Sequence, residues 1–129
     1  MALFYIVDSL SLACASVHAE KQWWIAAFDC KETNIPVEWD CPLPSDVALK
    51  LPGDDQPTIL LSDRTEVQRA GYDRQNDHPM VFCTNVKKAL EYFQSRHVTT
   101  GSIQDVGGTT QFFDIRDPEG NIIEICKSL

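Results

Sequence analysis

One glutamate stands alone in an apolar segment near the end of the sequence. Glu124 is the only charged residue of the run Ile122–Cys126. Burying an unpaired carboxylate is costly, because the charged group loses its hydration. The pattern therefore predicts that Glu124 has a partner, which can be a metal, a cation, a proton or a ligand.

The five residues Asp117–Asn121 predict the turn that positions Glu124. Pro118 fixes φ at a value that suits a turn, and Gly120 tolerates a positive φ. Segments of alternating residue character flank this turn on both sides, which is typical of a β-hairpin. If these five residues form the loop, Asp114 lies directly opposite Glu124 in the hairpin.

One order of elements, a strand, a helix and three strands, occurs twice along the chain. The first copy covers about 9–63, a polar linker about 64–77, and the second copy about 78–129. In the first copy the pattern predicts a helix at His18–Cys30 and strands at Leu10–Val17, Thr33–Val37, Val47–Leu51 and Thr58–Ser62. In the second copy it predicts a helix at Val86–His97 and strands at Pro79–Thr84, Ser102–Val106, Gln111–Ile115 and Ile122–Cys126. A short helical turn is predicted in the linker, around Thr65–Ala70.

The parity of each strand assigns its side chains to the two faces of a sheet. In the first copy, Ala13 is assigned to the face that packs on the helix, and Leu12 to the opposite face. In the second copy, Ile123 and Ile125 are assigned to the helix face, which leaves Glu124 on the other. A sheet with helices on one face must cover or curl its second face, so these second faces are expected to line a cup.

The pattern Asp-Pro-x-Gly-Asn-x-x-Glu, from Asp117 to Glu124, resembles the C-terminal hairpin of the vicinal oxygen chelate superfamily. This superfamily includes glyoxalase I, extradiol dioxygenases, and fosfomycin- and bleomycin-resistance proteins. The resemblance is strongest from His78 to the C-terminus and can be traced across residues 9–63, so it covers most of the chain. It implies a single α+β domain over residues 1–129, in which two βαβββ modules form a cupped half-barrel sheet with a helix behind each module. It also implies a homodimer, because members commonly pair.

The resemblance implies that His78 and Glu124 are metal ligands, because they match two ligand positions of the superfamily. In the first copy the corresponding positions hold Leu12 and Leu60, which cannot bind a metal. The implied cofactor is one divalent metal (Zn, Ni, Mn or Fe) at an incomplete site, or otherwise none. The alternative is that His78 is a structural histidine at the start of a strand, beside Pro79. Both interpretations stay open.

Like charges that face each other across a β-ladder are destabilising, so the pairing of Asp114 with Glu124 requires an explanation. In one interpretation, Asp114 is solvated at the rim of the sheet. In the other, His78, Asp114 and Glu124 form a cluster that binds a divalent metal or acts without one as a general acid–base set, with both carboxylates catalytic. Lys50 is the first-copy counterpart of Asp114 and can neutralise the cluster in place of a metal.

Apolar and aromatic side chains are predicted on the same cup-lining faces, where they suit an apolar or planar ligand. One tryptophan lies in a proline-rich loop and can form a lid over the cup. Each of these side chains can equally serve as ordinary core or loop packing. The predicted ligand pocket consists of Met80, Phe82, Phe112, Leu12, Leu60, Lys50 and Trp39.

The composition of the 129 residues, 43% hydrophobic and 23% charged, fits one soluble globular domain. A net charge of −8 argues against nucleic acid or an anionic membrane as the main partner. No apolar run approaches the roughly 20 residues that span a bilayer, and the first residues lack the basic start of a signal peptide. Five cysteines without a Cys-x-x-Cys pair indicate reduced thiols and a cytoplasmic protein.

Two classes of function therefore stay open. The first is a metal-independent protein of the bleomycin-resistance type, which binds a small organic molecule in an apolar cup and is favoured by Leu12 and Leu60. The second is a metal-dependent enzyme, such as a glyoxalase-like lyase, a dioxygenase or a thiol transferase, and is favoured by His78 and Glu124. Fold alone does not choose between them.

Overall fold

The computed structural model describes residues 3–39, 42–76, 78–108 and 110–128 of the chain. In this part of the chain the helices are α1 (Val17–Phe28), α2 (Arg64–Ala70) and α3 (Val86–Ser95). The strands are β1 (Phe4–Tyr5), β2 (Leu10–Cys14), β3 (Lys31–Thr33), β4 (Val47–Lys50), β5 (Ile59–Asp63), β6 (Met80–Cys83), β7 (Gln104–Val106), β8 (Thr110–Arg116) and β9 (Ile122–Ser128). No described helix has the length and apolar character needed to cross a membrane.

The backbone divides into two compact units, Asp8–Asp77 and a second unit of Met1–Val7 with His78–Leu129. We call them the four-stranded unit and the five-stranded unit, after the sheet that each contains. The four-stranded sheet has the order β2-β5-β4-β3, and the five-stranded sheet has the order β1-β6-β9-β8-β7. Each unit contains the predicted order of a strand, a helix and three strands, so the α+β class and the two βαβββ modules are confirmed.

The helices of both modules begin with the same kind of cap. Ser16 accepts a hydrogen bond from the Ala19 amide at the start of α1, and Asn85 accepts one from the Lys88 amide at the start of α3. Side-chain oxygens at this position satisfy amides that have no partner within the helix. Both helices lie close to their predicted positions.

The core of the four-stranded unit lies between α1 and the sheet. Trp24 and Phe28 of α1 are fully buried and stack at 4.8 Å, and α1 packs on β4 and β5. Leu49 and Ile59, which face each other across these two strands, are also fully buried. The strand predicted at Thr33–Val37 instead ends at Thr33, because the chain turns at Pro36, whose carbonyl accepts a hydrogen bond from the Trp39 amide.

The predicted orientation of β2 is wrong. Leu12 pairs with Leu61, and Ser11 pairs with Leu60, in the parallel ladder between β2 and β5. Leu12 is therefore buried on the same face as the core residue Leu61, and not on the face that carries Leu60. Both faces of this strand are covered, since Ala13 is buried as well. The alternation of apolar and polar residues that normally identifies the core face is consequently missing.

The segment predicted as a linker forms part of the four-stranded unit. It contains α2, close to where the helical turn was predicted. Beyond α2, the side chain of Gln75 accepts a hydrogen bond of 2.8 Å from the Ala13 amide, and the Asn76 side chain accepts one from the Ser11 amide. The edge of β2 that faces away from β5 thus finds hydrogen-bond partners in polar side chains of the same unit.

The hairpin of β8 and β9 has the predicted register. Asp114 pairs with Glu124. Asp117 organises the turn, because its carboxylate accepts hydrogen bonds from the Glu119 amide at 3.0 Å and from the Asn121 amide at 2.8 Å. Strand β1 was not predicted; it pairs with β6 at the edge of the sheet.

Candidate functional site

His78 and Glu124 contact each other on the five-stranded unit. His78 Nε2 lies 2.7 Å from Glu124 Oε2. Parallel pairing of β6 with β9 places Met80 beside Glu124, and the Glu124 amide donates to the Pro79 carbonyl at 3.0 Å. The Glu124 side chain is 15% exposed and that of His78 is 66% exposed, so the pair lies at the boundary between the sheet surface and solvent.

Asp114 lies next to this pair on the neighbouring strand. Its position opposite Glu124 places both side chains on one face of the sheet. Its backbone carbonyl accepts a hydrogen bond of 2.8 Å from the Gly101 amide, so the chain before β7 runs alongside this part of β8. The three residues of the predicted cluster are therefore neighbours, with a direct contact between His78 and Glu124.

An aromatic row follows the polar cluster along the same face. Phe82 pairs with Cys126, and Cys126 pairs with Phe112, so these side chains share the face of Glu124. Tyr5 of β1 extends the row, because its ring stacks on that of Phe82 with centroids 5.5 Å apart. Phe82 and Phe112 thus lie where they were predicted, whereas the contribution of Tyr5 was missed because β1 is too short to show a pattern.

Cys126 lies in the middle of this row and is buried. Burial, together with the negative charge of Glu124 and the thiol of Cys83, raises the pKa of Cys126 to about 11. A neutral thiol is a poor nucleophile, so Cys126 acts as an apolar residue of this surface near neutral pH.

The four-stranded unit has a counterpart to the His78–Glu124 position. Ser9 and His78 each lie seven residues before a helix cap, at Ser16 and Asn85 respectively. Among the described pairs, Ser11 faces Leu60 in one unit just as Met80 faces Glu124 in the other. The counterpart of the pair is therefore Ser9 with Leu60, which corrects the predicted match of Leu12 to His78.

A cavity occupies this counterpart position. It has a volume of about 240 Å³ and is lined by Ser9, Leu10, Ser11, Trp39, Leu60 and Arg74. Trp39 and Leu60 were predicted as pocket residues, and the structure brings them together here. Lys50 belongs to the same sheet face, since it alternates with the core residue Leu49, but it is not among the described residues that line the cavity. Leu12 is not a lining residue either. The predicted match of Lys50 to Asp114 is wrong, because Ala48 pairs with Leu60 as Asp114 pairs with Glu124.

Arg74 is the functional candidate that sequence reasoning missed. Its guanidinium Nη1 donates to Asp46 Oδ2 at 2.6 Å and to Ser62 Oγ at 3.3 Å. The guanidinium carbon Cζ of Arg74 also lies 4.9 Å from the centre of the Tyr72 ring. A charged residue in a polar segment is usually a surface residue, so no sequence pattern predicts that the Arg74 side chain is only 11% exposed.

A larger groove on the five-stranded unit contains none of the predicted site residues. It has a volume of about 490 Å³ and runs beside α3, lined by Val86, Lys87, Leu90, Glu91, Gln94, Ile103 and Gln111. Four of these seven side chains are charged or amide groups on exposed or half-exposed positions. The smaller cavity is therefore the better candidate for a specific ligand.

The donor atoms do not complete the metal centre that the resemblance implies. His78, Asp114 and Glu124 offer one imidazole nitrogen and carboxylate oxygens, which suit a divalent cation. Their counterparts in the four-stranded unit are Ser9, Ala48 and Leu60, which offer one neutral hydroxyl and two hydrocarbon side chains. The residues present therefore fit a weak two- or three-ligand site and not the full ligand set.

No family model and no curated relative matches this sequence. Solved structures with the same fold include a glyoxalase/bleomycin resistance protein/dioxygenase superfamily member from Sphaerobacter thermophilus. Its TM-score is 0.70 at 13% identity, over 95% of this chain and 96% of that one.

Two further structures show the same similarity over nearly their whole length. An antibiotic binding protein from a Streptomyces species has a TM-score of 0.68 at 16% identity, covering 100% of this chain and 99% of its own. A lactoylglutathione lyase from Agrobacterium tumefaciens has a TM-score of 0.66 at 17% identity, covering 94% of this chain and 92% of its own. The chain thus has the vicinal oxygen chelate fold, a glyoxalase-like half-barrel, and the resemblance seen in its C-terminal hairpin is confirmed for the fold.

Proposed function

We propose that this protein binds a small organic molecule on the non-helix faces of its sheets, without a tightly bound metal. The observation that carries the proposal is the cavity lined by Trp39 and Leu60. It lies at the position where the other unit has His78 and Glu124. An aromatic side chain and an aliphatic side chain, with a few polar groups, are the usual composition of a small-molecule site.

The size of the cavity limits the ligand. About 240 Å³ is below the roughly 300 to 1,000 Å³ of typical drug-sized sites. A compound with one or two rings, or one ring system of a larger molecule, is the expected occupant. The antibiotic binding protein of the same fold supports small-molecule binding as a use of this architecture, although the identity of 16% does not transfer its ligand.

The aromatic row of the five-stranded unit supports the same function. Tyr5 is 42% exposed, and Phe82 and Phe112 are half-buried on the face of Glu124. Exposed aromatic rings on a sheet face provide a stacking surface at low entropic cost, because each ring has few rotatable bonds.

A ligand screen by thermal unfolding tests the proposal. Fused-ring aromatic compounds are expected to raise the melting temperature of the wild-type protein, and Trp39→Ala is expected to abolish the rise. Val37→Ala is the matched control, because Val37 is in the same loop and is fully exposed. An equal response in both variants would contradict the proposal.

The second candidate is a metal-dependent enzyme, namely a glyoxalase-like lyase, a dioxygenase or a thiol transferase. It is favoured by one observation, the 2.7 Å contact between His78 and Glu124 with Asp114 on the adjacent strand. These residues would hold a divalent cation, which would act as a Lewis acid when bound. Strong stabilisation by Zn²⁺, Ni²⁺, Mn²⁺ or Fe²⁺ that disappears in His78→Ala would favour this candidate over the first.

We further propose a single domain over residues 1–129, a homodimer and a cytoplasmic location. The described cysteines Cys14, Cys30, Cys83 and Cys126 are free thiols, which supports a reducing compartment. Sedimentation equilibrium tests the dimer, since a monomer mass at micromolar concentration would contradict it.

A further inference from the structure

The charge balance around Arg74 limits the ligands that the cavity accepts. Among the described residues that line it, Arg74 is the one that carries a charge. Its partner Asp46 is almost completely buried, with 1% of the side chain exposed, and the two charges are joined at 2.6 Å. The pair is neutral as a whole, so an anionic ligand gains little net attraction from Arg74 and is repelled by Asp46. The net charge of −8 on the chain also disfavours an anion.

The hydrogen-bonding chemistry of the same side chain restricts the ligand further. A guanidinium group has five N–H donors and no acceptor. A ligand atom that contacts it must therefore be an acceptor. Ser9 and Ser11 carry hydroxyl groups that accept or donate, and they tolerate either kind of polar atom.

The guanidinium is held in place before any ligand arrives. It contacts the Asp46 carboxylate, the Ser62 hydroxyl at 3.3 Å and the Tyr72 ring at 4.9 Å. Asp46 is itself fixed, because the same oxygen accepts a hydrogen bond of 2.8 Å from the Leu43 amide. A donor that is already ordered loses little entropy on binding, so it discriminates well between ligands with and without an acceptor.

From these observations we propose that the cavity binds an uncharged, planar aromatic carbonyl compound, whose carbonyl oxygen accepts a hydrogen bond from Arg74 while its ring packs on Trp39 and Leu60. This proposal rests on the proposed function and specifies the ligand class of that same site. Arg74 acts as the residue that determines specificity, and Trp39 and Leu60 supply the apolar contact.

The test compares four naphthalene probes of similar size by calorimetric titration of the full chain. Acetylnaphthalene carries a neutral carbonyl acceptor, ethylnaphthalene carries none, naphthoate is an anion, and naphthylmethylamine is a cation. Acetylnaphthalene is expected to bind about tenfold more tightly than ethylnaphthalene, since a hydrogen bond to a charged group contributes about that factor. It is also expected to bind more tightly than both charged probes. Naphthoate as the tightest ligand would overturn the proposal.

Variants of the ion pair test the assignment to Arg74. The double variant Arg74→Met with Asp46→Asn removes both charges, and it is expected to bind acetylnaphthalene and ethylnaphthalene equally. Arg69→Met, at an exposed arginine of α2, is the control and is expected to keep the preference. Should the double variant fail to fold, Arg74→Met with Asp46→Leu replaces it, because it removes every N–H donor of Arg74 and an apolar pair often maintains the stability of a buried ion pair. A carbonyl preference that persists in the folded variant would overturn the proposal.

The outcomes separate this proposal from the proposed function. If all four probes bind equally and Trp39→Ala abolishes their binding, the ligand class is wrong and the small-molecule function stands. If no probe binds to the wild-type protein, the ligand class and the proposed small-molecule function are both contradicted.

Discussion

His78 and Glu124, which lie 46 residues apart in the sequence, are joined by a contact of 2.7 Å between Nε2 and Oε2. The parallel pairing of β6 with β9 produces it, because the chain before β6 passes the middle of β9. In the four-stranded unit the same position holds Ser9 and Leu60, and a cavity replaces the polar contact. The two modules thus share their topology while their non-helix faces differ in chemistry.

Glu124→Gln is expected to lower the free energy of unfolding by less than about 1 kcal/mol. The partner His78 is two-thirds exposed, and solvent-exposed ion pairs contribute little to stability. Urea unfolding of the wild type and the variant measures the difference, with Glu91→Gln on the exposed side of α3 as a control. A loss several times larger would show that the carboxylate is primarily structural.

Divalent metals are expected to stabilise the protein only weakly. A metal at about 100 times its Kd would add about 2.7 kcal/mol to the free energy of unfolding, so a tight site is readily detected. We expect no resolvable stabilisation when Zn²⁺, Ni²⁺, Mn²⁺ or Fe²⁺ is present at the same concentration as the protein, and no effect of EDTA. Thermal melts check this, and a large EDTA-sensitive rise that is absent in His78→Ala would contradict it.

Asp46→Ala is expected to lower the free energy of unfolding by about 3 kcal/mol, because it removes the buried carboxylate that pairs with the Arg74 charge. The pair of Lys21 and Glu32 provides the control. Its side chains are 21% and 51% exposed, so Glu32→Ala is expected to cost less than about 1 kcal/mol. Chemical unfolding of both variants gives the comparison, and equal losses would argue against a buried ion pair at the cavity.

Stability is expected to fall as the pH rises above 9. In the folded protein the pKa of Cys126 is raised from 9.0 to about 11, mainly by burial. Between these values the unfolded chain loses this proton while the folded protein keeps it, so the free energy of unfolding decreases with pH. Burial also raises the pKa of Cys30, to about 12, so this thiol too lowers the free energy of unfolding as the pH rises.

The Cys126→Ala variant isolates the contribution of this thiol from other groups that titrate at alkaline pH. Its free energy of unfolding, measured by urea titration between about pH 8 and pH 11, is expected to fall less steeply than that of the wild type. Identical slopes in the two proteins would contradict the assigned pKa.

The hairpin around Asp117 could be predicted from sequence because its signals are local and agree with one another. A turn with Pro118 and Gly120 fixes the loop length, and the apolar residues Ile123 and Ile125 fix the face of β9. A shift of one residue would expose the whole apolar face, so a single register is possible. The position of Asp114 opposite Glu124 follows directly.

The cavity could be predicted only in part, because it depends on contacts between residues that are distant in sequence. The orientation of Leu12 was wrong, since β2 is covered on both faces and shows no alternation. The role of Arg74 depends on its pairing with Asp46, 28 residues away, which has no local signature. Ser9, by contrast, has a local signature. The dipeptides Ser-Val and Asn-Val at the starts of α1 and α3 align Ser9 with His78.

A titration followed by amide and indole NMR signals tests the central claim most directly. With acetylnaphthalene added to the labelled protein, we predict that the largest shift changes occur at the indole of Trp39 and at the amides of Ser9, Ser11 and Leu60. The indoles of Trp23 and Trp24, which lie on α1, are predicted to stay unchanged. Changes confined to the groove beside α3, or no changes at saturating ligand, would contradict small-molecule binding in this cavity.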